Sequence, residues 1–145
     1  MNTLSPKLRW VAWATIALAA ITSLGCNQGP TLVPIEGQVK LDGQPLQYGH
    51  IRVIPASGRT AYSDLDEQGR FKLMTDAEEG CPVGTHSVTV GSVKSITETQ
   101  QRRYAPEKYE SGITTDLTID VKEPKKDLVI ELKGDGKRYP YDYRG

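Results

Sequence analysis

The chain has 145 residues, 37% of them hydrophobic, with 18 Lys and Arg against 18 Asp and Glu. That length accommodates one domain and little else. A net charge of zero supplies no long-range field to gather nucleic acid, which excludes that class of partner.

At the N-terminus, Lys7 and Arg9 form a short basic start. Residues 10–24 are apolar except for Thr15, Thr22 and Ser23. The run falls short of the ~20 residues that a helix needs to cross a bilayer and has the proportions of a cleaved export signal over 1–25. It stops at Gly25-Cys26-Asn27-Gln28-Gly29-Pro30. Ser23-Leu24-Gly25-Cys26 resembles the lipobox of bacterial lipoprotein precursors, with Ser23 where that family usually carries Leu. The resemblance implies cleavage before Cys26, diacylglycerol on its thiol and acylation of the new amine. Two or three acyl chains hold a protein stably on a membrane where one does so marginally. The expected partner of Cys26 is therefore the membrane, and the expected place is the cell envelope, on the periplasmic or outer side. Asn27, rather than Asp, leaves the choice of inner or outer membrane open. Cleavage removes Lys7 and Arg9, so 16 basic residues remain against 18 acidic ones, a net of −2. Lipidation leaves Cys81 as a lone thiol, expected to be buried beside a turn. The alternative is a Cys26–Cys81 disulfide in an oxidising compartment, which gives no reason for Cys26 to stand at the foot of an export signal. Residues 26–33 read as a short tether.

From Pro34 onward the apolar period is two, the signature of strands with one face inward. Ile35, Gly37, Val39 and Leu41 alternate with Glu36, Gln38, Lys40 and Asp42, and Asp42-Gly43 signals a tight turn. A second strand is predicted over 48–55, with Ile51 and Val53 inward. Strands over 60–65 and 70–75 flank Asp66-Glu67-Gln68-Gly69 as a hairpin that turns Phe71 and Leu73 inward. A fifth strand over 85–93 carries His86, Val88 and Val90 on one side. A sixth over 113–121 carries Ile113, Leu117, Ile119 and Val121, and a seventh carries Leu128, Ile130 and Leu132. Seven alternating strands without a crossover helix predict an all-β, seven-stranded antiparallel sandwich over residues 34–133. Residues 134–145 are expected to be a flexible tail rich in Tyr and Arg.

Several segments carry a family resemblance. Val39-Lys40-Leu41-Asp42-Gly43-Gln44-Pro45-Leu46 looks like the V-x-L-D-G-x-P-L opening of carboxypeptidase-regulatory-like (transthyretin-like) domains. Asp66-Glu67-Gln68-Gly69-Arg70-Phe71 resembles their D-x-x-G-x-F hairpin. Pro82-Val83-Gly84-Thr85-His86-Ser87-Val88-Thr89-Val90 is similar to their P-x-G-x-Y-x-V-x-V strand, with His86 in place of Tyr. Tyr104-Ala105-Pro106-Glu107-Lys108-Tyr109 resembles a P-x-K-Y segment of small bacterial lipoproteins with this domain. The resemblance implies a prealbumin-like sandwich without catalytic activity.

Three patterns bear on chemistry. Asp64 to Gly69 starts like a calcium loop, but position twelve is Thr75, where a bidentate Glu is required, so a plain hairpin turn explains it better. His50 and His86 share no metal-ligand spacing with each other or with Cys81. His86 is expected at a sheet edge and His50 at a strand entrance. Tyr143-Arg144-Gly145 resembles the ending of 5-hydroxyisourate hydrolase, but Gly37-Gln38-Val39 and Val129-Ile130-Glu131 lack the histidines that enzyme needs on its first and last core strands. No catalytic residue, metal or cofactor is therefore expected. Two segments remain as candidate binding surfaces: residues 94–112, without strand pattern and carrying Arg102, Arg103, Tyr104 and Tyr109, and the tail with Tyr139, Tyr141 and Arg144. Tyr and Arg recur at recognition hot spots, and aromatic faces suit sugar rings. The expected role is a structural or interaction module that meets an envelope protein or glycan. A transthyretin-fold hydrolase and a carbohydrate-binding module are the alternatives.

Overall fold

A computed structural model describes residues 29–145. The expected export signal over residues 1–25 and the expected lipidation site, Cys26, lie outside the described residues.

β1 (Leu32–Val33) leads into β2 (Ile35–Leu41). Asp42 and Gly43 then take φ values of 48° and 81°, the paired positive angles of a type I′ turn. β3 (Gln44–Pro45) folds back on Lys40 and Leu41. β4 (His50–Pro55) and β5 (Ala61–Asp64) pair antiparallel. The Asp66 carboxylate closes the next turn, accepting from the backbone N–H groups of Gln68 and Arg70 at 2.8 Å each. Beyond it the predicted strand 70–75 divides. β6 (Arg70–Lys72) pairs with β2, whereas β7 (Met74–Thr75) pairs with β5. Leu73, fully buried between the halves, donates its N–H to the Ile35 carbonyl, so the chain crosses from one sheet to the other there.

Next come β8 (Glu78–Glu79), β9 (Cys81–Pro82) and β10 (Gly84–Gly91). β11 (Val93–Ser95) and β12 (Gln100–Arg103) form a hairpin, followed by a 3-10 turn at Glu107–Tyr109. β13 (Thr118–Val121), β14 (Lys125–Leu132) and β15 (Tyr141–Arg144) complete the chain.

The larger sheet runs β13-β10-β4-β5-β7-β8, and the smaller has β14 beside β2, with β3 and β6 along the other edge of β2. Ile51, Val53, Val88, Val90 and Ile119 from the first meet Val39, Phe71, Ile130 and Leu132 from the second in one buried cluster. Burying each such side chain contributes roughly 1.5–3 kcal/mol. The domain is all-β and sandwich-like, and its one departure from antiparallel pairing is β14, parallel to β2. The turn after β13 brings Lys125 beside the start of β2, where its N–H donates to the Pro34 carbonyl at 3.0 Å. From that point β14 can only run in the same direction as β2.

Three expectations need correction. The sixth strand begins at Thr118, not at Ile113, because Ser111 accepts the N–H groups of Thr114 and Thr115 in a turn that leaves Ile113 95% exposed. His86 is not at an edge: β10 lies between β4 and β13, and the ring is buried. Residues 94–112 and the tail are not structureless, since β11, β12 and β15 form a third sheet. Among the described residues no helix is long and apolar enough to cross a membrane.

Candidate functional site

The third sheet gathers most of the Tyr and Arg side chains singled out in the sequence. β15 pairs antiparallel with β12, setting Arg102 opposite Asp142, Gln101 opposite Tyr143 and Arg103 opposite Tyr141. The Arg102 guanidinium donates twice to Asp142, Nε to Oδ1 at 2.6 Å and Nη2 to Oδ2 at 3.0 Å. This two-pronged geometry matches the fork of the cation to the carboxylate, and it holds the Asp142 carboxyl below the usual carboxylate range. Arg103 turns inward. Its buried guanidinium pairs with Glu110 and lies 5.4 Å from the Tyr143 ring centre.

Alternate residues of a strand share a face, and the tail exploits this. The rings of Tyr139, Tyr141 and Tyr143 follow one another at 5.4 and 6.0 Å, tilted by 48° and 51°. The tilts make an inclined ladder of rings and not a flat platform. The ends of the ladder are fixed: Tyr143 donates its hydroxyl to Gln101 Oε1 at 2.7 Å, and Tyr139 donates to Asp135 Oδ1 at 2.8 Å. Burial and the Asp135 carboxylate both push the Tyr139 hydroxyl up, so it stays a donor. Arg144 is exposed, opposite Gln100 near the tip of the sheet.

Tyr104 and Tyr109 take different places. Tyr104 packs its ring against Tyr48 at 5.3 Å, with the Lys94 ammonium 5.4 Å from the Tyr48 ring centre. Tyr109 is fully buried, and its hydroxyl accepts from the Lys133 N–H at 2.8 Å. It braces the 3-10 turn against the end of β14 and offers a ligand nothing. The expectation that it lines a binding surface is corrected: the ring fills the core, which its place in an irregular segment conceals.

A groove of about 300 Å³ lies beside the ladder, lined by Gln44, Pro45, Gln47, Tyr104, Lys137 and Tyr139 among others. Sequence reasoning missed Gln44 and Gln47, which a polar hairpin arm does not distinguish from solvated surface. The groove combines aromatic rings, amides and a cation.

The two histidines do not converge. His50 stands opposite Gly91 and His86 opposite Pro55, at the two ends of the β4–β10 pairing. His86 Nε2 is 2.7 Å from the Pro82 carbonyl oxygen, which occupies that nitrogen. Among the described residues no group of three or more His, Cys, Asp or Glu side chains could hold a metal ion. Comparison with protein-family models, with curated proteins and with solved structures finds no match to this chain.

Proposed function

We propose that the chain is a cell-envelope lipoprotein, cut before Cys26 and anchored by acyl chains there, whose domain is a non-enzymatic interaction module. The observation that carries the interaction reading is the third sheet. Fixing a residue's backbone costs ~1–2 kcal/mol, yet β12 and β15 are joined outside the main core not only by their ladder but by side-chain bonds from Arg102 to Asp142 and from Tyr143 to Gln101, while Glu110 fixes Arg103 of β12 from the 3-10 turn. Such a surface is pre-organised, so a partner does not bear its ordering cost on binding. The export segment and the lipobox-like Ser23-Leu24-Gly25-Cys26 support the anchor. The separation of His50 from His86 weighs against the transthyretin-fold hydrolase. Within this reading β2, β4, β5, β6 with β7, β10, β13 and β14 are the seven strands of a prealbumin-like sandwich.

One observation favours a second reading, carbohydrate binding: Tyr104 and Tyr139 both border the groove that holds Gln44 and Gln47. Intact mass of protein extracted from its native membranes, beside a Cys26→Ala variant, tests the anchor. The expected mass is residues 26–145 plus acyl chains, lost in the variant, and a lipid-free mass would remove the lipoprotein reading. Co-sedimentation with insoluble peptidoglycan, weakened several-fold by Tyr139→Ala, is the result that would select the glycan reading over a protein partner.

A further inference from the structure

We infer that the pole of the domain carrying the tether rests against lipid headgroups and that the β11–β12–β15 sheet is held at the opposite, water-facing pole. This rests on the proposed lipidation of Cys26. Chain length is the first ground. Cys26 is three residues from Gly29, and a chain spans at most ~3.6 Å per residue, so the lipidated residue lies within about 11 Å of Gly29. Gly29 is already against the domain, since a Cβ there would stand 3.8 Å from the Arg59 guanidinium. Thr31 accepts the Val83 N–H at 3.2 Å, and β1 pairs with β9. Turning the domain over would require the chain to run the length of β10, roughly 24 Å at ~3.4 Å per residue, and no such slack exists.

Topology is the second ground. Pro55 opposite His86, Gly84 opposite Val121 and the bond from Lys125 N–H to the Pro34 carbonyl bring the loops 56–60, 76–83 and 122–126 to the tether pole. β10 leaves that pole and ends at Gly91, opposite His50 at the start of β4, and Lys94 of β11 stands over Tyr48, beyond that start. The turn that joins β11 to β12, closed by the Ile96 N–H to Gln100 carbonyl bond, therefore forms the far tip, with Arg144 beside it.

Charge at the tether pole is the third. Arg59, Lys72 and Lys122 are engaged by Asp76, Glu79 and Asp120, which leaves Lys125 and Lys126 without an ion pair among the described cations of that pole. Clusters of four to eight such residues are needed to bind anionic headgroups unaided. The acyl chains, and not attraction to anionic lipid, set this contact, so it is indifferent to salt and works on zwitterionic bilayers.

The test uses the mature lipidated protein in phosphatidylcholine vesicles that contain lipid spin-labelled at the headgroup. Lys126→Cys and Glu98→Cys variants carry the same fluorophore, while buried Cys81 and lipidated Cys26 stay unlabelled. Headgroup quenching several-fold stronger at position 126 than at 98 is expected. Ten Gly and Ser residues inserted after Asn27 should erase that difference while the protein still sediments with vesicles. Equal quenching, or stronger quenching at 98, in protein that sediments overturns the orientation, as does occlusion of position 126 by a second copy. Protein that neither sediments nor carries acyl mass removes the lipidation reading, and this inference with it.

Discussion

Tyr109 illustrates how one side chain can join an irregular segment to the core. Its ring is 1% exposed, and its hydroxyl stands between the N–H of Lys133 at 2.8 Å and the Lys133 carbonyl at 3.4 Å. A Tyr109→Phe variant keeps the ring and loses both bonds, so it should cost about 1 kcal/mol in urea unfolding, with an unchanged denaturant slope. An unchanged midpoint would show that the hydroxyl contributes nothing. Cys81 is the second informative residue. Its thiol is buried, which pushes it up to about 11, and a thiol raised in this way is present as the unreactive neutral form. Alkylation at pH 8 should therefore be at least about 100-fold slower in the native protein than in urea, as followed by mass. The sign for stability follows. The neutral thiol favours the fold below its ordinary range, and that contribution is lost as pH rises toward about 11.

Among the elements, β15 has no buried residue, and an ion pair from Arg102 to Asp142 ties it to β12. The Arg102 hydrogen bond holds the Asp142 carboxyl low. Burial opposes the same shift at Asp135, but the Tyr139 hydroxyl and Lys137 N–H outweigh it. A carboxylate held below its ordinary range contributes stability above that range and loses it as pH falls through the lowered value. Amide-exchange protection across Tyr141–Arg144 should therefore decline as pH falls below the ordinary carboxylate range, while β10 remains protected. Simultaneous loss in both strands would show that the acids do not hold β15. The alternation in β2, β4, β10 and β14 was legible because one face of each meets the core. β12 offers no such signal, since Gln100, Gln101 and Arg102 are polar on both faces, and β15, one of its two partner strands, lies some 40 residues away. Gly37 shows another limit. Read as one of an inward row, it is there because a Cβ would stand 2.0 Å from the Leu128 carbonyl oxygen, where the β14 bulge crowds β2.

For the whole molecule, processing at Cys26 has a spectral consequence. Both tryptophans, Trp10 and Trp13, precede that residue. Protein purified from membranes should emit as tyrosine only, and a tryptophan emission band would show that the N-terminal segment is retained.

The all-β class, the Asp42-Gly43 turn, the Asp66 turn and the inward rows of the main strands are legible in the residues alone, because period-two alternation and turn chemistry are local. The residues also carry the whole case for the proposed anchor at Cys26. The division of residues 70–75 between two sheets, the parallel course of β14 beside β2, the burial of Tyr109 and His86, and the third sheet built from a polar loop and a polar tail emerge only in the folded chain. Each of these depends on contacts between segments remote in the chain, where neither hydrophobic period nor local propensity carries information.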